Sequence, residues 1–235
     1  MALPALNRAR ASQGLSPVAH VLDQGRSAAR VLILTSRAFD LQAELPPVVK
    51  YVGPRLDDPA WVGSWSPPPG DDPLVLAALS SDYQAQEDLL GRIIAALGQE
   101  PVRGVVTTGR GIDPGTYLAS PNVQVVRAAP HREILQEASL AVTHAGHGAT
   151  IKALAAGVPL VCLPMGRDQF DVAARVTHAG AGIRLDAESS AQEIASAVRK
   201  VLCSGEYRQS AQRIAAVIAE ETATDLAVAE IESLL

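Results

Sequence analysis

Short apolar runs alternate with amphipathic stretches along most of the chain. The runs are four to six residues long and rich in Val, Leu and Ile, which predicts buried strands, whereas apolar residues at helical spacing predict helices between them. This alternation predicts an α/β fold built on a doubly wound parallel sheet. The predicted strands are 74–79, 102–107, 123–126, 140–143, 159–164 and 181–185, and the predicted helices are 84–97, 131–137, 151–156, 168–178 and 190–202.

The segments on either side of this alternation follow other patterns. Residues 206–235 are rich in alanine and are predicted to be helical throughout. Gly14 breaks the amino-terminal pattern, which predicts two helices followed by two strands. These elements are predicted at 2–13, 17–24, 30–35 and 48–52.

Residues 54–72 are rich in Pro, Gly and Asp, which predicts a linker. We expect Trp61 and Trp65 to anchor this linker, although a contact between domains or with a second substrate is the alternative. The chain then divides into an amino-terminal part at 1–53, the linker, and a main domain at 73–235.

Composition narrows the classes of function. A chain of 235 residues has room for one good α/β domain and an appendage. A net charge of −5 and an aromatic content of 3% argue against a nucleic-acid surface, which requires basic patches and stacking side chains.

The location follows from two further observations. Cys162 and Cys203 form neither a metal-binding spacing nor an obvious disulfide pair, which suits the reducing cytoplasm. The start MALPALNRAR has arginines where a signal peptide needs an apolar core, and no uncharged apolar run reaches the length of a membrane span. We therefore expect a cytoplasmic protein without a membrane span.

The most informative stretch follows the strand at 140–143. His144 ends the strand, and the small residues from Ala145 to Thr150 form a glycine-rich turn before a helix. The start of a helix carries unpaired N–H groups and the positive end of the dipole, so it is suited to an anion such as phosphate. Gly146 and Gly148 would let the backbone approach a ligand closely.

A second polar cluster, Arg167, Asp168 and Gln169, follows the next strand. The carboxyl ends of neighbouring parallel strands meet at one crevice, so this cluster should lie beside the glycine-rich turn. Its carboxylate and amide suit sugar hydroxyls, and phosphate with hydroxyls indicates a nucleotide sugar. Alternatively, Asp168 caps the helix predicted at 168–178.

These residues resemble a known family. A His-x-Gly-x-Gly-x-Thr turn from His144, the strand GVPLVCLP and then Asp168-Gln169 are similar to the donor-binding region of nucleotide-sugar-dependent glycosyltransferases of the two-domain GT-B fold. The closest similarity is to the bacterial macrolide and antibiotic branch, relatives of the plant UDP-glycosyltransferases. AALSSDYQAQEDLL, TTGRGIDP and VVRAAPHREIL also resemble this branch.

The resemblance implies the Rossmann-like carboxyl-terminal half of a GT-B enzyme, preceded at 1–53 by a remnant of the acceptor-binding domain. It implies a UDP- or TDP-sugar as donor, a hydroxyl of a small molecule as acceptor, transfer with inversion, and neither a cofactor nor a metal. His144 would stabilise the departing diphosphate. The implied donor-binding residues are Ser80, Ser81, Thr108, Gly109, Ala129, Pro130, His131, His144, Gly146, Gly148, Ala149, Thr150, Asp168 and Gln169.

The chain departs from the family pattern at two points. Many relatives carry an aromatic platform for the base where this chain has Ala128, so the base stays open. The family's general base is a histidine near its own amino terminus, and the surroundings of His20 do not match it. No general base is assigned, and the acceptor half is expected either in a longer enzyme or in a separate chain.

Three alternatives remain. The chain is a donor-binding module without activity of its own. The second alternative is a nucleotide-cofactor oxidoreductase, because Gly146 and Gly148 with Asp168 superficially resemble a dinucleotide fingerprint, although Ile151 occupies the third glycine position. His144 and His147 with downstream aspartates suggest a metal site, but we expect His147 to be a solvated neighbour of the anion site.

Overall fold

A computed structural model describes residues 2–58, 62, 65–80 and 83–235, and only the backbone of Arg26. Trp61 and Ser81, singled out in the sequence, lie outside the described residues. Among the described residues, six strands form one parallel sheet in the order β5-β4-β3-β6-β7-β8. They are β3 (Leu74–Ala78), β4 (Arg103–Thr107), β5 (Val123–Val126), β6 (Leu140–Thr143), β7 (Leu160–Cys162) and β8 (Gly182–Arg184).

The sheet carries helices on both faces. Successive residues of β3 point to opposite faces, so Leu76 joins one buried cluster while Val75 and Ala77 join the other. This arrangement confirms the predicted doubly wound α/β fold. The helices of this part are α3 (Glu87–Gly98), α4 (His131–Glu137), α5 (His147–Ala155), α6 (Gln169–His178), α7 (Ala191–Cys203), α8 (Gly205–Glu221) and α9 (Leu226–Glu232).

Local sequence explains several helix boundaries. Gly157, with a φ of 69°, ends α5 in a left-handed conformation that favours glycine. At the start of α7 the Ser190 hydroxyl accepts from the Glu193 N–H at 3.3 Å, and the Glu193 carboxylate accepts from the Ser190 N–H at 2.7 Å. This reciprocal pair is a capping box.

The amino-terminal part forms a separate two-stranded parallel sheet within the described residues. It is bound to the end of the chain, because Arg30 pairs with Glu230 at 2.9 Å, and Arg55 of the adjoining linker pairs with Asp225 at 2.8 Å. Phe39, 3% exposed, joins the core of the main domain. Its elements are α1 (Ala2–Ser12), α2 (Asp23–Arg26), β1 (Val31–Ile33) and β2 (Val49–Tyr51).

The predicted linker is packed against the main domain. Trp65 contacts the buried cluster, as expected of an anchor. Asp58 forms an ion pair with Lys152 of α5 and accepts from the Arg132 N–H in the first turn of α4 at 2.8 Å. The linker therefore forms part of the surface above the sheet.

The strand ends lie within two residues of the prediction, but four helix boundaries do not agree. Helix α5 begins at His147, so Gly148, Ala149 and Thr150 belong to its first turn and the glycine-rich turn is shorter than predicted. The helix predicted at 17–24 is wrong, because only α2 is helical there. The His20 N–H donates instead to the Asp23 carboxylate at 2.9 Å.

The other two corrections involve local side-chain contacts. The helix predicted from residue 84 begins at Glu87, because Ala85 has a φ of 53° and the Gln84 N–H donates to the Gln86 side chain. The predicted continuous helical tail breaks between α8 and α9. There the Asp225 side chain accepts from the Val228 N–H at 3.3 Å and starts α9 as a new helix.

Candidate functional site

A cavity of about 340 Å³ lies at the carboxyl ends of the central strands. In the order of the sheet, β3 and β6 are neighbours from which the chain proceeds in opposite directions, and ligands bind at such a switch point in open α/β sheets. Of the predicted site residues, eight line this cavity: Ser80, Gly109, Ala129, His131, His144, Gly146, Gly148 and Ala149.

The first turn of α5 faces the cavity. The first helical hydrogen bond runs from the Thr150 N–H to the Gly146 carbonyl at 3.1 Å. The N–H groups of His147, Gly148 and Ala149 precede this bond, so they have no helical acceptor, and all three residues line the cavity. The positive end of the helix dipole is thus directed at the cavity, and the arrangement suits an anion.

His144 lies between β6 and this turn and is 8% exposed. Burial lowers its pKa, and a hydrogen bond from the ring to the Ala78 backbone opposes that effect in part. The ring is therefore neutral near pH 7. A neutral imidazole carries one N–H, which the Ala78 bond uses, so donation to a phosphate through the second nitrogen requires protonation. Negative charge on a ligand would favour that protonation by raising the pKa.

The structure changes the interpretation of the two glycines. A Cβ at position 146 would clash with Nε2 of His144, so Gly146 leaves room for the histidine ring. A Cβ at Gly148 would meet no atom within 4 Å. Only Gly148 leaves open space of the kind expected for close backbone approach to a ligand.

His147 is not the solvated neighbour that the sequence predicts. Its Nε2 lies 2.9 Å from Oγ1 of Thr35, which follows β1 and is 8% exposed. Burial lowers the pKa of His147, and the carboxylates of Asp168 and Asp40 oppose this effect. The amino-terminal part thereby reaches the edge of the site, which sequence spacing could not reveal because the two residues are 112 positions apart.

The other end of the cavity is formed by β4, β5 and the start of α4. Nε2 of His131 lies 3.2 Å from Oγ1 of Thr107, and burial lowers the pKa of His131 while the Asp58 carboxylate opposes that effect. Arg127 and Ala128 line the same region. Arg127 and Asp58 are wall residues that were not among the predicted site residues.

Three other predicted residues do not present their side chains to this wall. Thr108 donates its hydroxyl to the Ile112 carbonyl at 2.9 Å and so stabilises its own loop. Pro130 precedes α4 as its N-cap residue. Thr150 is fully buried, and no hydrogen-bond partner is found for its hydroxyl.

The Asp168-Gln169 cluster also lies away from the wall. Asp168 is exposed and makes no side-chain capping bond, so the capping alternative is wrong. Gln169 is 1% exposed; its amide oxygen accepts from the N–H groups of Met165 and Gly166, and its nitrogen donates to Gln84 at 3.0 Å. Gln169 is therefore bonded within the protein and does not line the cavity.

The network extends from Gln84 to the end of β3. Nε2 of Gln84 donates to the Ser80 hydroxyl at 2.6 Å, and Gln86 donates to the Ser80 carbonyl at 3.0 Å. These bonds order the loop after β3, and the bond from Gln169 to Gln84 holds it against the loop after β7. Three glutamine amides therefore fix the geometry of one side of the crevice.

The described residues show neither a cluster of metal ligands nor a membrane-spanning helix. No three His, Cys, Asp or Glu side chains among the described residues lie close enough to hold a metal ion. No helix in the described ranges combines the length and the apolar character needed to cross a bilayer.

The chain matches one family model and is similar in sequence to several characterised proteins. Residues 92–234 match the family model described as "Erythromycin biosynthesis protein CIII-like, C-terminal domain". The chain is 35% identical over 202 residues to the 4′-demethylrebeccamycin synthase of Lentzea aerocolonigenes, covering 83% of this chain and 47% of that protein. It is 30% identical over 211 residues to the oleandomycin glycosyltransferase of Streptomyces antibioticus, covering 88% and 49% respectively.

Solved structures share the fold. The glycotransferase of kitacinnamycin superimposes with a TM-score of 0.82 at 23% identity, covering 99% of this chain and 61% of that chain. The chain spans about half the length of the curated relatives that it matches.

Proposed function

Because the chain belongs to the family of erythromycin biosynthesis protein CIII-like C-terminal domains, we propose that it forms the donor half of a nucleotide-sugar-dependent glycosyltransferase. Its ligand is a UDP- or TDP-sugar, bound in the cavity at the ends of β3 and β6. Two of the relatives are named for rebeccamycin and oleandomycin, which favours an antibiotic-like small molecule as the acceptor.

One observation carries this proposal. The N–H groups of His147, Gly148 and Ala149 have no helical acceptor, and the three residues line a cavity at the switch point of the sheet. A diphosphate placed there receives hydrogen bonds from the helix terminus and lies beside His144. The nucleoside then extends along the cavity toward His131 and Ala129, which line its other end.

In the proposed reaction a hydroxyl of the acceptor attacks the anomeric carbon of the donor sugar from the face opposite the diphosphate. The new C–O bond forms as the bond to the diphosphate oxygen breaks, so the configuration inverts and the electron pair passes to the diphosphate. The α5 terminus and protonated His144 stabilise that charge. The proton of the hydroxyl passes to a general base, which we do not assign to a residue of this chain.

The acceptor itself is held by a further unit, either joined to this chain or a separate polypeptide.

The two cysteines are both free, one buried and one exposed, which supports the proposed location in the reducing cytoplasm.

Calorimetric titration with UDP and TDP tests the donor site directly. We expect saturable binding that persists in EDTA, because the helix terminus offsets the charge of the diphosphate. Binding that disappears in EDTA and returns with a divalent ion would contradict the metal-free site, and failure to bind either nucleotide would overturn the proposal. Sugar transfer assayed with and without an acceptor-binding unit separates an enzyme half from a donor-binding module without activity.

A further inference from the structure

Another cavity, of about 300 Å³, lies in the amino-terminal part of the chain. Its walls come from β2 and from residues 37–47 in the connection between β1 and β2. Among the described residues, none lines both this cavity and the cavity at the ends of β3 and β6. We call it the Tyr51 pocket, after the aromatic residue in its wall, and its chemistry is separate from that of the donor site.

The charge of the Tyr51 pocket is positive. Arg37 and Lys50 line it, and none of the described residues in its wall carries a carboxyl group. Neither cation forms an ion pair with another described residue. The chain as a whole carries a net charge of −5, so this local excess of positive charge is an exception on its surface. It favours an anionic ligand over a neutral or cationic one.

Tyr51 gives the pocket a fixed aromatic wall. Its hydroxyl donates to the Asp40 carboxylate at 2.7 Å, and the guanidinium of Arg37 lies over its ring, 5.4 Å from the centroid. Burial and the bond to Asp40 raise the pKa of Tyr51, so the hydroxyl stays neutral and keeps donating. Asp40 also accepts from Arg175 at 2.8 Å, so its negative charge is offset outside the pocket.

The rest of the wall is largely apolar. Leu41 and Leu45 line the pocket and are 50% and 39% exposed, so their side chains are available to a ligand. Pro46 and Pro47 also line it, and their rings fix the backbone φ of this side. An apolar body that enters the pocket would therefore meet a preformed surface and remove apolar area from water.

We propose that the Tyr51 pocket binds a small carboxylic acid with a flat aromatic body. The carboxylate pairs with Arg37 and Lys50, because a guanidinium holds a carboxylate through parallel hydrogen bonds and an ammonium adds a further charge. The aromatic body packs against Leu45 and the ring of Tyr51. A volume of about 300 Å³ is at the lower end of the range for small-molecule sites, so the ligand is small. This site goes beyond the proposed donor function and does not depend on it.

Calorimetric titration with 2-naphthoate and 2-naphthamide tests the proposal, because the two probes share one aromatic body and differ in charge. The unaltered protein should bind naphthoate at least about tenfold more tightly, as expected for one hydrogen bond to a charged group. The preference should persist in excess UDP, because the two cavities have no described lining residue in common. Loss of naphthoate binding in UDP would assign the probe to the donor cavity and overturn the proposal.

Two variants locate the bound anion. Lys50→Gln and Arg37→Gln should each reduce the preference for naphthoate by about threefold or more, since each removes one of the two charges. Lys200→Gln is the matched control, because Lys200 is an exposed lysine of α7 outside the pocket, and it should keep the preference of the unaltered protein. The proposal is overturned if naphthoate does not bind, if the two probes bind equally well, or if either pocket variant keeps the full preference.

Discussion

Gly146→Ala should disturb the site before any ligand binds. The added Cβ would lie 2.6 Å from Cε1 of His144 and closer still to Nε2, which is nearer than real Cβ contacts. The backbone at position 146 has a φ of −63° and a ψ of 135°, which alanine adopts without strain, so the entire effect comes from the histidine ring. Overpacking of this kind costs about 1–3 kcal/mol.

Two measurements check this prediction. In thermal unfolding the variant should melt about 2–4 °C lower for each kcal/mol lost. In calorimetry it should bind UDP at least about tenfold more weakly, because displacement of the ring removes a hydrogen bond to a charged group. Gly205→Ala, at the start of α8 where a Cβ meets no atom within 4 Å, is the matched control and should bind UDP normally.

A double variant makes the reasoning refutable. In the His144→Ala background the ring is absent, so Gly146→Ala should have almost no further effect on the melting temperature. An equal loss of stability in both backgrounds would show that the ring contact is not the cause. If the single Gly146→Ala variant melts within about 1 °C of the parent, the clash between the added Cβ and the ring of His144 is refuted.

Three further outcomes are expected. His144→Ala should weaken UDP binding more than His147→Ala, because His147 is bonded to Thr35; equal losses in calorimetry would contradict this. Asp168→Ala should weaken the binding of a UDP-sugar by about 1.5–3 kcal/mol and leave the binding of UDP nearly unchanged. The free energy of unfolding should stay the same, because Asp168 makes no side-chain capping bond. Equal weakening of the binding of both ligands would show that Asp168 does not contact the sugar. Burial lowers the pKa of His131, His144 and His147 below 6.5, so the unfolded chain binds more protons than the folded chain just below that pH. The urea concentration at the midpoint of unfolding should therefore fall as the pH is lowered from about 7 to 5, and it should fall less steeply in the His131→Gln variant. A midpoint that rises on acidification would contradict this prediction.

The fold could be predicted because each step depends on local pattern. The apolar runs that form β3 to β8 are too short for helices and too continuous for exposed strands, and the helices between them force parallel pairing. The family predicted from the turn after His144 is confirmed by the match over residues 92–234. Predicted helix boundaries were wrong where a single residue adopts a backbone conformation unusual for its type, as Ala85 does with its positive φ.

The candidate site was only partly predictable. His144 and the start of α5 follow from a strand end and a glycine-rich turn, which are visible in sequence. The contacts of Asp58 with Lys152 and of Thr35 with His147 span 94 and 112 positions, and no local pattern encodes them. Likewise, the polar character of Gln169 indicates a hydrogen-bonding role but cannot show that its partners are Met165, Gly166 and Gln84.

The attachment of the first strands to the last helices has a consequence for synthesis. Arg55 meets Asp225, 170 positions later, and Arg30 meets Ser233, 203 positions later. At a translation rate of roughly 5–20 residues per second, the amino-terminal part waits about 10–40 s before its partners leave the ribosome. During that interval the buried cluster that Phe39 joins lacks Ala211, Ile214 and Ile218, so the amino-terminal part reaches its final packing only after α8 has been synthesised.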